Sequence, residues 1–180
     1  ISNAGAAWES SISKMKEDTF RKSIEINLFS HYYASQKAIE IFHSQDFAVK
    51  QNDQNQGGQI LFNISKQALS PGPNFGSYGI AKAALLALMR QISLEEGINK
   101  IRSNGINADR IKSGLLNPDM IKKRAKSRGI TEDEYIKGNL LKTEVLAEDV
   151  AKAFLALVKM EKTTGALLTV DGGNIAAMVR

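Results

Sequence analysis

Residues 58–86 fall into three pieces. They are Gly58-Gln-Ile-Leu-Phe-Asn-Ile-Ser65, then Lys66-Gln-Ala-Leu-Ser-Pro71-Gly72-Pro73-Asn74-Phe75-Gly76-Ser77, then Tyr78-Gly-Ile-Ala-Lys82-Ala-Ala-Leu-Leu86. The first is a short apolar run of strand type that ends in a hydroxyl. The second, marked by Gly and Pro, is a loop. The third is helical and carries a phenol with an ammonium four residues on. Residues four apart share a helix face, so the Lys82 charge is expected to favour the Tyr78 phenolate and lower its pKa. A phenol tuned toward neutrality can exchange a proton with an alcohol or a carbonyl. Ser65, at the strand's end, can hydrogen-bond the same oxygen.

Outward from this stretch, strands alternate with helices. Residues 1–5 read as the end of a strand and its turn, and 6–14 as loop. A helical pattern runs from about 16 to 45, with Ile24, Leu28, Tyr32 and Ile39 near one face. Residues 46–57 are polar and read as an exposed connection. The helix over 77–97 ends at Gly97, a candidate C-cap. Its run from Ala83 to Met89 is apolar nearly all round, so burial on two sides is expected: the sheet on one, a second subunit or a neighbouring helix on the other. A strand is predicted over 101–107. Asn117-Pro118 opens a helix with Asn as N-cap and Pro in first position, and Thr131-Glu-Asp-Glu134 has capping-box spacing. A helix over 147–160 shows Val150, Phe154, Leu157 and Val158 on its apolar side, and 166–170 is the last strand. This alternation implies a parallel α/β sheet.

Composition narrows the function classes. One hundred and eighty residues, 43% of them apolar, suit one domain with a core. There is no apolar run near the roughly 18–20 residues a membrane span needs, and no basic-then-apolar leader at the N-terminus. Cysteine is absent, which excludes disulfides and thiolate metal sites. The two histidines, His31 and His43, sit inside the helical pattern and read as packing or surface residues rather than ligands; no metal site is expected. The formal charge of +5 is scattered except for Lys122, Lys123, Arg124, Lys126 and Arg128. These form either a solvated helix face or a cationic rim over a site for an anionic substrate or coenzyme phosphates. Without a recognition motif they do not argue for nucleic acid.

The chain resembles the short-chain dehydrogenase/reductase family over nearly its whole length. Asn3-Ala4-Gly5 resembles the family's Asn-Ala-Gly turn after the fourth strand. Ile26-Asn27-Leu28 resembles the helix segment with its structural-catalytic Asn. Ser65, Tyr78 and Lys82 match the Ser, Tyr and Lys positions. Thr164 to Gly173 resembles the last strand and its terminal Asp-Gly-Gly. A closer similarity, to the dehydrogenase part of bifunctional rhamnulose-phosphate aldolase/lactaldehyde dehydrogenase proteins, lies in Asn107 to Leu116, Gly138 to Leu141 and Asp171 to Ala177.

The resemblance implies a Rossmann-like, doubly wound parallel sheet and an oxidoreductase using NAD or NADP, with NAD favoured. Tyr78 would be the acid/base, Ser65 would orient the substrate oxygen, and Lys82 would also hold the nicotinamide ribose. Asn27 would break its helix and hold a water linking Lys82 to solvent. Asn3, Ala4 and Gly5 would line the adenosine-ribose side, and Ile111 and Ser113 the carboxamide side. Residues 113–142 would form a substrate lid. A small-molecule substrate, a homodimer or homotetramer, a cytoplasmic location and an upstream aldolase domain are further expectations; neither nucleic acid nor membrane is an expected partner.

Two departures qualify these expectations. No Gly-rich turn joins a strand to a helix, so the phosphate cradle is not found and the N-terminal half of the fold is expected to be missing from this chain, which then reads as one partial domain. Such a piece either belongs to an enzyme or, as an alternative, only folds and oligomerises. Ala108 and Asp109 also stand where the family has Pro-Gly; Asp109 lacks glycine's freedom at positive φ, so this loop is expected to curl differently.

Overall fold

The computed structural model describes residues 1–45 and 57–174. The polar connection read at 46–57 lies outside the described residues except for Gly57, as does the tail beyond Asn174. Three strands form one parallel sheet in the order β1 (Gln59–Asn63), β2 (Arg102–Ala108), β3 (Leu167–Val170). Leu61 pairs with Asn104, and Ile106 with Leu168. On the outer edge of β1, Ser2 makes a parallel bridge to Phe62, its N–H donating to the Leu61 carbonyl at 2.7 Å. The parallel α/β reading therefore holds.

Six α-helices are described: α1 (Glu17–Ile24), α2 (Ser30–Ser44), α3 (Gly76–Glu96), α4 (Pro118–Ser127), α5 (Glu132–Ile136) and α6 (Ala147–Lys159). Between α1 and α2, residues Glu25–Phe29 form a π-helical segment, so the single helix read at 16–45 is broken around Asn27. The helix starts read from sequence hold. The Asn117 side chain accepts from the Met120 N–H at 2.9 Å, and Thr131 and Glu134 form a reciprocal capping box.

Strand alternation divides the core. Ile60, Phe62 and Ile64 face α3, packing with Leu85, Leu86, Met89 and Ile92, with Ile39 and Phe42 of α2 alongside. Leu61 and Ile106 face the other way, onto Val150, Ala153, Phe154 and Leu157 of α6. Gly105 lies opposite Phe62 because β2 has no room there. A Cβ at Gly105 would come within 2.9 Å of both Ile64 and the Met89 sulfur. Buried Asn104 ties in the approach to β3, donating to the Thr163 carbonyl at 2.8 Å and accepting from the Ala166 N–H at 2.9 Å. A third, small cluster (Leu116, Ile121, Ala125, Tyr135, Ile136) joins α4 to α5. Truncating Phe62, which has no exposed surface, should cost about 3–5 kcal/mol in urea unfolding, because both the transfer energy and a residual cavity count.

The helix end read at Gly97 holds, with Gly97 as the C-cap of α3; it is right-handed (φ −59°) and opens a 3₁₀ turn that ends at left-handed Lys100, φ 61°. Two local expectations are corrected. Val158 is 44% exposed and stands at the margin of the α6 stripe rather than in it. In the first helical region Ile24, Leu28 and Ile39 are only partly covered and Tyr32 is exposed. The fully buried positions are instead Ser23, Asn27, His31 and Ser35. An apolar-periodicity reading favours Ile and Leu over Ser, Asn and His, and so it misplaced the inward face.

Candidate active site

A cleft of about 730 Å³ opens at the carboxyl ends of the strands. Its walls include Asn3, Ala4 and Gly5 from the first turn, Tyr78 and Lys82 from α3, Ala108 to Ile111 and Ser113 after β2, and an apolar stretch of α6 around Phe154. This is the side of a parallel α/β sheet on which ligands bind.

Tyr78 lies in the first turn of α3, and Lys82 one turn on, both buried. Ser65 follows β1 in extended conformation; its Oγ accepts the Gln67 N–H at 3.2 Å, and its side chain is near enough to Tyr78 to favour the phenolate. The Lys82 Nζ donates to the Asn63 carbonyl at 2.8 Å and lies 5.8 Å from the centre of the Tyr78 ring. Asn27, in the π segment, has no exposed surface. Its amide donates to the carbonyls of Ala6 at 2.8 Å and Ser23 at 2.9 Å, and its Oδ1 accepts the Ala6 N–H at 3.1 Å. Gly5 keeps this spot open: a Cβ there would crowd the Asn27 Oδ1 at 3.3 Å and reach contact with the Lys82 Nζ at 4.0 Å.

The electrostatics differ from the sequence expectation. Burial pushes the Tyr78 phenol above its ordinary value; the Asp109 charge adds to this, while the Ser65 hydrogen bond and Arg124 oppose it. Lys82 does not lower the Tyr78 pKa here, because desolvation dominates and the ammonium is turned to the Asn63 carbonyl. Lys82 itself is pulled down to about 8 by burial.

The loop after β2 curls at Arg110 (φ 56°), not at Asp109. Arg110 donates to the Tyr135 and Gly138 carbonyls and stacks on the Tyr135 ring, which ties the loop to α5. Asp109 bonds to Asn174, with the Arg110 Nε at 3.5 Å. Burial raises its carboxyl above the ordinary range, against the pull of Lys66, Arg110 and Asn174. The Ser113 Oγ accepts the N–H groups of Leu115 and Leu116, so it shapes the turn into α4.

The basic cluster divides. Lys122 and Lys126 are exposed. Lys123 and Arg124 both reach Glu9, at 2.8 and 3.0 Å, and Arg124 also lies over the Phe75 ring at 4.3 Å. Burial raises the Glu9 carboxyl, but these two cations outweigh it and hold it below its ordinary value. Arg128 lies over Tyr135. Part of the cluster therefore holds α4 against the rest of the chain rather than forming a free rim.

The structure thus places the candidate catalytic and coenzyme-binding residues near one another. Ser65, Tyr78 and Lys82 share one corner, Asn27 stands behind Gly5, and Asn3, Ala4, Ile111 and Ser113 lie along the same cleft. Sequence reading missed His31. It is 1% exposed, donates from Nε2 to the Ala4 carbonyl at 2.9 Å and is bonded through Nδ1 to Ser2 at 2.5 Å. The available signal was the polar column Ser23, Asn27, His31, Ser35 at every fourth position. His43, by contrast, is a surface residue paired with Glu96.

Comparison with known proteins gives the family and the fold. The family model for enoyl-(acyl carrier protein) reductase matches residues 1–174. The chain belongs to the short-chain dehydrogenase/reductase family. The oxidoreductase YuxG of Bacillus subtilis (strain 168), itself uncharacterized, is 30% identical over 188 residues, covering 100% of this chain and 26% of that protein. The 3-oxoacyl-(acyl-carrier-protein) reductase FabG of Rickettsia felis is 27% identical, covering 97% of this chain and 66% of that protein. A short-chain dehydrogenase family structure from Francisella tularensis superposes with a TM-score of 0.76 at 25% identity, covering 97% and 69% of the two chains. The 3-ketoacyl-(acyl-carrier-protein) reductase of Brucella melitensis, solved with NADH, gives 0.77 at 21% identity, covering 96% and 64%, and shares the fold. The chain therefore spans about a quarter of the Bacillus relative's length and about two thirds of the Rickettsia one.

Proposed function

We propose that this chain supplies the reacting half of an NAD(P)-dependent oxidoreductase that moves hydride between nicotinamide and an alcohol, an aldehyde or a sugar-derived carbonyl. The observation that carries this reading is the corner where Ser65 stands beside Tyr78, with Lys82 one turn on and the cleft in front. The residues present suit the nicotinamide-ribose end of the coenzyme. Gly5 leaves backbone open beside Lys82; only one of the three Lys82 N–H groups is used on Asn63; and the α6 wall is apolar. When bound, NAD or NADP supplies or accepts the hydride. Tyr78, protonated by virtue of its burial, is set to donate its proton to an oxygen developing negative charge, which is the direction of carbonyl reduction. Ser65 holds that oxygen in line. Lys82 anchors ribose hydroxyls, and Asn27 holds the Ala6 backbone, and with it the wall beside Lys82.

Support for NAD over NADP comes from the family resemblance alone; structures of the same fold hold NADH in one case and NADP in another. The closer resemblance to aldolase/lactaldehyde dehydrogenase proteins remains our reading. It is supported by the Bacillus relative, three quarters of which lies outside the matched segment and leaves room for another domain. We further propose a homodimer or homotetramer formed through the outward faces of the π segment, α2 and α3, where Phe29, Tyr32, Tyr33 and Ile80 are exposed, a substrate lid built from α4 and α5, and a cytoplasmic enzyme.

The test is a fluorescence titration of the full-length protein with NADH and NADPH in parallel. Saturable NADH binding with weaker NADPH binding is expected, and binding of neither would overturn the reading. A second reading, that residues 1–180 alone fold and oligomerise without catalysis, is favoured by the lack of a Gly-rich strand-to-helix turn among them. It predicts no NADH binding by the isolated 180-residue chain.

A further inference from the structure

We infer that His31 is a positioning residue for the proposed coenzyme site: it fixes the Asn3-Ala4-Gly5 turn against Lys82, and it does so as an uncharged donor. This rests on the oxidoreductase reading of the cleft given above.

Hydrogen-bond capacity decides the tautomer. The Ala4 carbonyl can only accept, so the His31 Nε2 must carry a proton. The Ser2 hydroxyl can then donate to Nδ1, and both ring nitrogens are satisfied by the neutral imidazole. Charge is disfavoured at this place. The ring is buried, and both its desolvation and the nearby Lys82 ammonium pull its pKa below the ordinary value. A Lys or Arg could reach the same carbonyl but would set a permanent second cation near Lys82. Glutamine could donate without charge. Phenylalanine could pack as the imidazole does, tilted against Phe62 at 6.3 Å between ring centres, but it cannot donate at all.

The segment so held has no regular strand of its own. Ser2 makes a single bridge to β1, and the chain then runs free of the sheet along the cleft. Three side chains fix it there. Asn27 clamps Ala6. Asn63 donates to the Asn3 Oδ1 at 2.7 Å while its own carbonyl accepts a hydrogen bond from the Lys82 Nζ. His31 holds Ser2 and Ala4. Removing the last clamp frees the middle of the turn, which is the part beside Lys82.

The test uses three variants of the full-length protein. His31→Phe keeps the ring and loses both bonds. His31→Gln keeps an N–H of sufficient reach for Ala4. His31→Asn keeps the amide on a stem one methylene shorter. Expected for Phe and Asn are a rise of about ten-fold or more in the Kd for NADH, kcat at saturation within about three-fold of wild type, and faster amide exchange over residues 2–6. Glutamine should restore affinity and exchange to near wild type. Equal behaviour of Gln and Asn, or a drop in kcat and thermal stability with NADH affinity and exchange unchanged, would overturn the inference. If His31→Phe does not fold, the Gln and Asn pair decides alone. Amide exchange requires neither coenzyme nor turnover. It therefore fails separately from the oxidoreductase reading, which stands or falls on NADH binding by the wild type and on Tyr78→Phe.

Discussion

Tyr78→Phe should lower kcat by about a hundred- to ten-thousand-fold, the range lost when a general acid is removed. The substitution deletes one oxygen. The ring stays buried and keeps its edge contact with Phe75, 6.3 Å between centres, so neither the fold nor the shape of the cleft has reason to change. The lost proton transfer belongs to the transition state. The kcat and kcat/KM values should therefore fall together, with NADH affinity within about three-fold of wild type. Single-turnover rates alongside an NADH titration would separate the two effects. Turnover retained in this variant would remove Tyr78 from the acid/base role. Loss of NADH binding along with turnover would mean that the phenol is needed to build the site.

Lys82→Met should have the next largest effect, and it carries a signature in pH. Turnover should fall by about a hundred-fold or more and NADH affinity should weaken, since the ammonium both anchors and orients. The effect on stability is independent of catalysis. The Lys82 pKa is lowered from 10.5 to about 8 by burial, so between those values the unfolded chain binds the extra proton and the folded one does not. Stability must then rise with pH across that window and gain nothing from this group below about pH 8. The gap corresponds to about 3 kcal/mol at about 1.36 kcal/mol per pH unit. The thioether of the variant cannot titrate, so the rise from about pH 8 to 10 should vanish there. The absolute stability at neutral pH is a poorer guide. Removing the ammonium relieves a buried charge but leaves the Asn63 carbonyl without that donor. Parallel slopes for both proteins in urea unfolding would show that Lys82 carries an ordinary pKa.

The chemistry of the site was more legible in the sequence than its support. Ser65, Tyr78 and Lys82 are fixed by local rules: a strand end, a helix start and an i,i+4 pair. Helix starts at Asn117 and Thr131 were legible for the same reason, since a cap is a matter of three or four consecutive residues. The parallel sheet followed from the alternation of elements. What failed involved burial and distance along the chain. The shift of Tyr78 depends on how much water the folded chain removes and on which way an ammonium turns, and neither is a property of spacing. The role of His31 depends on residues 27 and 29 positions away, Ala4 and Ser2. The inward face of the first helix was misassigned because it is lined by small and polar side chains, which a hydrophobic pattern cannot see.

That inward face has a rotational logic. Ser23, Asn27, His31 and Ser35 recur every four residues, whereas an α-helix turns once in about 3.6. Side chains four apart thus drift by about 40° per step, and after three steps the column would have wound about 120° away from the sheet. The wider π turn at Glu25–Phe29 unwinds the helix locally and resets its phase midway, so that all four can point inward. The segment behaves as a one-residue gear tooth. Deleting Glu25 or Ile26 from it would keep the chemical inventory of the site intact and still disable it, by rotating Ser23 and everything before it out of step with Asn27 and His31.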